Sequence, residues 1–422
     1  MCRGDEEMLM PLETTPYLAG LTATLSGPVG IAFSLTLLGA ITAGSLRTLG
    51  HNARQQRTNA VGTSDIAREL LIPVVRNDPD LVAHSAVANR VSDLFARCEW
   101  AQLSLEIKTW ERRLDATPGG TRHHDIAVET CLLPLQSCLD EAGRTSLDDL
   151  AEAEEMVADY VARHHEATDD HVHAVIAACA HMLVGDNCRA EFWPEAQKER
   201  AYRHQARHFL KARAILSKYD ATSMMSPLLA GANYELALGT PDGQVRLPKM
   251  FEDWIDLDPS NPTIYAVHMP QLLGDGQIRL KALQDEANNA EERTRETLGV
   301  GGYALCVLPA MIDCPELRDH VDYERLATGL LDLARLSGTQ ADVNWAAATL
   351  AQEANHGDEA RQQVLQTAFD TLVRRHLGVI YPRLWHIPLE DIRALLAETF
   401  KRSGAPKITE NPDYPVYSAK AA

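Results

Sequence analysis

Over all 422 residues, apolar side chains recur every three or four positions, and no segment sustains the one-by-one alternation of a half-buried strand. That absence sets the expected fold class: all-α, built from antiparallel helical hairpins. The stretch Phe251 to Leu273 (FEDWIDLDPSNPTIYAVHMPQLL) holds a helix end, a turn and a helix start together. Phe251, Trp254, Ile255 and Leu257 fall at roughly helical spacing. Asp258-Pro259 stops that helix, because proline disfavours helical geometry at the preceding residue and has no amide to donate. Ser260 or Asn261 is placed to cap the next helix, and Pro262 suits its first position.

This junction resembles the end of a tetratricopeptide repeat, with Phe251 and Trp254 at the packing positions of helix B and Pro259 at the closing proline. It departs from the pattern at Glu235, near the position of a small residue in helix A, and in the long loop Gly239 to Gly243. In a second hairpin, Asn344 to Phe369, the turn is Gly357-Asp358 and Ala360 takes the small position of helix B, facing Ala347, Ala348 and Ala351. A third hairpin runs from Asp78 to Leu114 and turns near Cys98-Glu99-Trp100. The chain is thus similar to uncharacterised bacterial proteins of tetratricopeptide-like fold over roughly half of its length. The resemblance implies a stacked α-solenoid scaffold with an extended groove for a protein partner, and no chemistry of its own.

Residues 14–46 contain no charge, and Gly27-Pro28 divides them. A helix from Pro28 to Leu46 would be about 28 Å long, against a hydrocarbon core of about 30 Å. Arg47, Arg54 and Arg57 follow at once, whereas the start of the chain is acidic and lacks the basic region of a signal peptide. The expected organisation is an acidic tail (1–13), an apolar segment read as a transmembrane helix (14–48), a polar linker (49–63), a helical repeat-like domain (64–400) and a mobile tail (401–422). On this reading residues 14–48 associate with the cytoplasmic membrane and the large domain stays in the cytoplasm. The alternative is an apolar hairpin buried in protein, in a cytoplasmic subunit of a larger assembly.

A net charge of −19 argues against nucleic acid as a partner, since phosphate binding needs a basic surface. The eight cysteines are scattered without a C-x-x-C, and Cys131 and Cys138 stand about 10 Å apart along one helix, so a disulfide framework is not expected.

Among chemistry-bearing residues, the run from His164 to His173 stands out: His164, His165, Asp169, Asp170, His171 and His173, with His181 beyond. Imidazole and carboxylate are ligands for zinc or iron, and a metal-dependent enzyme using this region is the main rival to a scaffold. However, the run spans a helix end and the next helix start, which sends His171 and His173 to different faces. Arg200, Arg203 and Arg207, with His204 and His208, line one side of a helix and suit either an acidic partner or pairing with neighbouring acidic helices. Gly299 to Gly302 lacks the strand and the Lys-Ser/Thr of a phosphate loop, and reads as a hinge. No catalytic, cofactor-binding or metal-binding set is assigned from the sequence, and the expectation leans against an enzyme.

Overall fold

The computed structural model describes residues 72–75, 79–240, 242–243, 245–273, 280–403, 407–409 and 416–418. The acidic start, the apolar segment and the linker lie outside these. The fold is all-α. Fifteen helices of seven residues or more are present among the described residues: α1 Pro79–Ala96, α2 Trp100–Arg113, α3 His123–Ala142, α4 Ala151–Glu166, α5 His171–Asn187, α6 Lys198–Leu216, α7 Pro227–Leu238, α8 Leu247–Leu257, α9 Pro262–His268, α10 Leu280–Leu298, α11 Gly301–Asp313, α12 Tyr323–Ser337, α13 Gln340–Glu353, α14 Glu359–Arg375 and α15 Leu389–Ser403. No helix among the described residues is long and apolar enough to cross a membrane. Two three-residue strands, β1 Lys407–Thr409 and β2 Val416–Ser418, pair antiparallel in the stretch read as a tail. They are too short to show an alternating pattern in the sequence.

Helices pack against their sequence neighbours and, repeatedly, against the helix after that: α1 on α3, α3 on α5, α5 on α7, α8 on α10, α9 on α11, α10 on α12 and α12 on α14. The turns are made by local chemistry. Asp170, Ser226, Asn261, Asp322, Thr339 and Asp358 each accept a hydrogen bond from a backbone amide in the first turn of the helix they precede. Asn261 is the cap at the Asp-Pro junction, while Ser260 accepts from Arg122 instead.

Two hydrophobic cores form, one from α1 to α7 and one from α7 to α15. Helix α7 belongs to both. Leu228, Leu229, Ala232 and Leu236 join the first, and Ala230, Tyr234 and Ala237 join the second. A helix buried on nearly every side is one that protein surrounds, and α5, α7 and α11 are of this kind. Gly231 lets α7 accept the Trp254 ring, since a Cβ there would sit 2.8 Å from it.

Two expectations need correction. Ala360 is exposed, so it does not take a packing position of helix B, although Ala347 and its neighbour Ala346 are buried. Gly301 and Gly302 are the first turn of α11, not a hinge; Gly302 allows close approach to Thr294, and Gly299 at φ +61° ends α10.

The halves are joined by a buried ion pair. Arg122, at the start of α3, donates from Nε to Asp258 Oδ2 at 2.7 Å and from Nη2 to Asp258 Oδ1. Its remaining donors reach Leu114 O and Ser260 Oγ, both at 2.8 Å. Asp258 has no exposed surface. Replacing Arg122 with Met strands a buried carboxylate, and the expected loss is about 3–5 kcal/mol of unfolding free energy in urea. Arg122→Met combined with Asp258→Leu is expected to recover a large part. A loss below about 1 kcal/mol for the single variant would show that the pair does not hold the halves together.

Candidate functional site

Helix α6 is amphipathic. Ala201, His208, Phe209, Ala212, Ile215 and Leu216 face the core, and the basic residues lie toward solvent. His204, one turn before His208, sits at the border between the two faces. Opposite stands Glu154 in the first turn of α4, and beneath lies His181 on the buried helix α5.

These residues form a connected cluster. His208 Nε2 donates to Glu154 Oε1 at 2.9 Å, and His208 Nδ1 lies 3.0 Å from His181 Nδ1. Arg207 donates to the same Glu154 oxygen at 3.0 Å and to His204 Nε2 at 2.7 Å. The pattern assigns the tautomers: with Nε2 of His208 donating, its Nδ1 accepts from His181. His204, accepting at Nε2, carries its proton on Nδ1, 3.9 Å from Cys188 Sγ. The hydrogen bond from His208, against the pull of burial, holds the Glu154 carboxyl down at about 2. Burial first, then the neighbouring His208, keeps His181 neutral down to about 3. Glu154, His204 and His208 each offer one donor atom, all within 4.8 Å of one another.

The outer edge of α6 is different in kind. Tyr202, Ala206, Leu210 and Ala214, spaced four apart, make an exposed apolar stripe. Tyr202 is 55% exposed and Leu210 64%. Arg203, Arg207 and Lys211 run beside it, and together these residues line a shallow groove of about 460 Å³. The expected pairing of the basic series with acidic neighbours is present: Arg200 with Asp148 at 3.2 Å, Arg203 with Glu199 at 2.8 Å and Arg207 with Glu154.

The His164 to His173 run is dispersed around the α4–α5 turn. Buried His164 packs near Tyr219 and His165, and His165 is exposed. Asp169 takes a left-handed turn conformation at φ +68°. Asp170 caps α5 through Val172 N at 3.0 Å and also binds Ser104 and Lys108. Burial opposes ionisation of Asp170, but bonds from His173, Lys108 and Ser104 hold its carboxyl well below the usual range. His171 Nε2 donates to Glu111 at 2.9 Å, while His173 lies beside Trp100. Glu111 also accepts from Ser226 Oγ and from Leu228 N at 3.1 Å. These contacts fasten the starts of α5 and α7, and they do not bring the histidines of the run to one point. His204 and His208 entered the sequence reading only as part of a basic face. Their i, i+4 spacing was the available signal, since it sets both rings on one side of a helix. The seven cysteines among the described residues are free, in keeping with the expectation of no disulfide framework.

A separate group of buried acids lies between α5 and α7. Burial raises Glu235 well above its ordinary 4.5 and Asp186 to about 7, although Arg189 pairs with Asp186 at 2.8 Å. A carboxyl raised in the folded state contributes most below its unfolded value, and that contribution is lost as pH climbs through the folded value. Glu235→Gln keeps the shape without the charge. Thermal unfolding is therefore expected to show the variant gaining stability over the parent chain progressively as pH rises from about 4 to 8. An equal difference at both ends of that range would mean that Glu235 ionises freely in the fold.

Comparison with protein-family models, with curated proteins and with solved structures finds no match.

Proposed function

We propose that this chain is a helical scaffold or adaptor that docks a protein partner on the outer face of α6, and that residues 14–48 tether it to the cytoplasmic membrane. The observation that carries the docking role is the exposed stripe of Tyr202, Ala206, Leu210 and Ala214, bordered by Arg203, Arg207 and Lys211. An apolar stripe with a one-sided basic border suits an amphipathic helix whose apolar face is flanked by acidic residues. The tetratricopeptide-like stacking is part of the same reading, supported by the seven helices that pack on the second helix after them. The tether rests on the uncharged run from Thr14 to Leu46 and the arginines that follow it.

A photoreactive residue at position 206 in cells is expected to give one discrete adduct, lost with Leu210→Asp, while the same probe at exposed Leu336 on α12 gives none. Adducts indifferent to Leu210→Asp would remove α6 as the docking face. In parallel, the full chain is expected to resist alkaline carbonate extraction from membranes, and a chain starting at His51 to be released. Release of both would overturn the tether and leave the docking face standing.

A further inference from the structure

We propose that Glu154, His204 and His208 form a binding site for a divalent transition metal of the zinc class, plugged by Arg207 until the cation displaces it. The donors are two imidazoles and one carboxylate from two helices, a set that suits zinc with a fourth position left open. Hard cations such as magnesium and calcium prefer all-oxygen sites, so the two nitrogens select against them. Metal–ligand bonds of about 2.0–2.1 Å in a tetrahedron place the donor atoms about 3.3 Å apart. Glu154 Oε1 lies 2.9 Å from His208 Nε2 and 3.5 Å from His204 Nε2, on either side of that figure.

The shape is held in advance. His208 has no exposed side-chain surface, and the α6 backbone fixes His204 one turn away. His181 supplies what a metal-bound imidazole needs on its far side. When His208 ligates through Nε2, its proton moves to Nδ1 and is donated to His181 Nδ1, which lies 3.0 Å away. His181 then carries its own proton on Nε2, and both rings stay neutral.

The guanidinium of Arg207 already stands where a cation would enter, bonded to Glu154 and His204 together. Its side chain is 52% exposed and is free to turn into solvent. Arginine and metal therefore compete for the same carboxylate and the same ring nitrogen. The site goes beyond the docking role, and its test involves no partner.

The experiment is titration of the full-length chain, in detergent where extraction requires it, with Zn²⁺ by calorimetry against a competing chelator, followed by Co²⁺ absorption spectra. One Zn²⁺ per chain is expected, with intense visible Co²⁺ bands from a tetrahedral site. Arg207→Gln is expected to tighten Zn²⁺ binding roughly tenfold, about 1.4 kcal/mol, by removing the competitor. His181→Gln is expected to weaken it about 10–100-fold by removing support from His208. Glu154→Gln with His204→Gln, both at partly exposed positions, is expected to abolish stoichiometric binding with the helical circular dichroism intact. Exposed His165→Gln is expected to change nothing. Stoichiometric Zn²⁺ in the Glu154/His204 double variant, or none in either the parent chain or Arg207→Gln, would overturn the site. Unchanged or weaker binding in Arg207→Gln would overturn the plug.

Discussion

Arg122 and Asp258 are 136 positions apart, and their contact fastens the start of α3, in the first core, to the α8–α9 turn of the second. Removing two charges from water is costly, and attraction in a low-dielectric interior offsets the cost only when the remaining donors and acceptors are also satisfied. Here the guanidinium meets both oxygens of Asp258, the Leu114 carbonyl and the Ser260 hydroxyl. Asp258 thus acts at two levels. With Pro259 it ends α8, and as a charge it draws the start of α3 onto that turn. Gly119 and Gly120 lie at the same place: Gly119 N donates to Asp80 at 2.6 Å, and Gly120 sits against Pro262. The Gly119-Gly120 turn of the N-terminal half therefore packs on the proline-rich junction of the C-terminal half.

Glu111 shows the same economy in the first core. One buried carboxylate receives His171 at the start of α5 and Ser226 and Leu228 at the start of α7. Helix N-termini carry unpaired amides and partial positive charge, so an acid between two of them is favoured twice. Burial alone would raise the Glu111 carboxyl, and its hydrogen bonds bring it below the ordinary value instead. That architecture accounts for a histidine run that looks chemical in the sequence. The buried core of α5 requires its first residues to meet neighbouring polar groups, and imidazoles at that boundary supply the donors.

What the sequence made legible was local. Asp258-Pro259, Asn261-Pro262 and Gly357-Asp358 act over four or five residues, and each marks a helix boundary in the structure. The all-α class followed from those signals and from the missing alternation. Helices buried on nearly every side were less legible: in α5, α7 and α11 apolar residues are not confined to one stripe, so their periodicity could not say that they lie at the centre. The glycines before Tyr303 looked like a hinge because glycine serves both free turns and close helix contacts, and only the neighbouring Thr294 distinguishes them. The candidate site was half visible. His204 and His208 share a face by spacing alone, but Glu154 lies 54 positions before His208 and is one carboxylate among 59 acidic residues. Only the packing of α4 and α6 on either side of α5 brings it to them.

Arg207 connects the two proposals made for α6. Bonded to Glu154 and His204, its charge is spent on the cluster and its methylenes line the groove. With a cation between those residues, the guanidinium turns outward and joins Arg203 and Lys211 along the edge of the apolar stripe. The groove then presents three free or weakly paired basic groups to an acidic partner where it previously presented two. Binding inside the cluster and docking outside it are thereby linked through one side chain, and linkage is reciprocal: a partner that holds Arg207 outward also vacates the carboxylate for the metal. An acidic protein with one locally basic, apolar helix face thus has a physical means of making that face conditional.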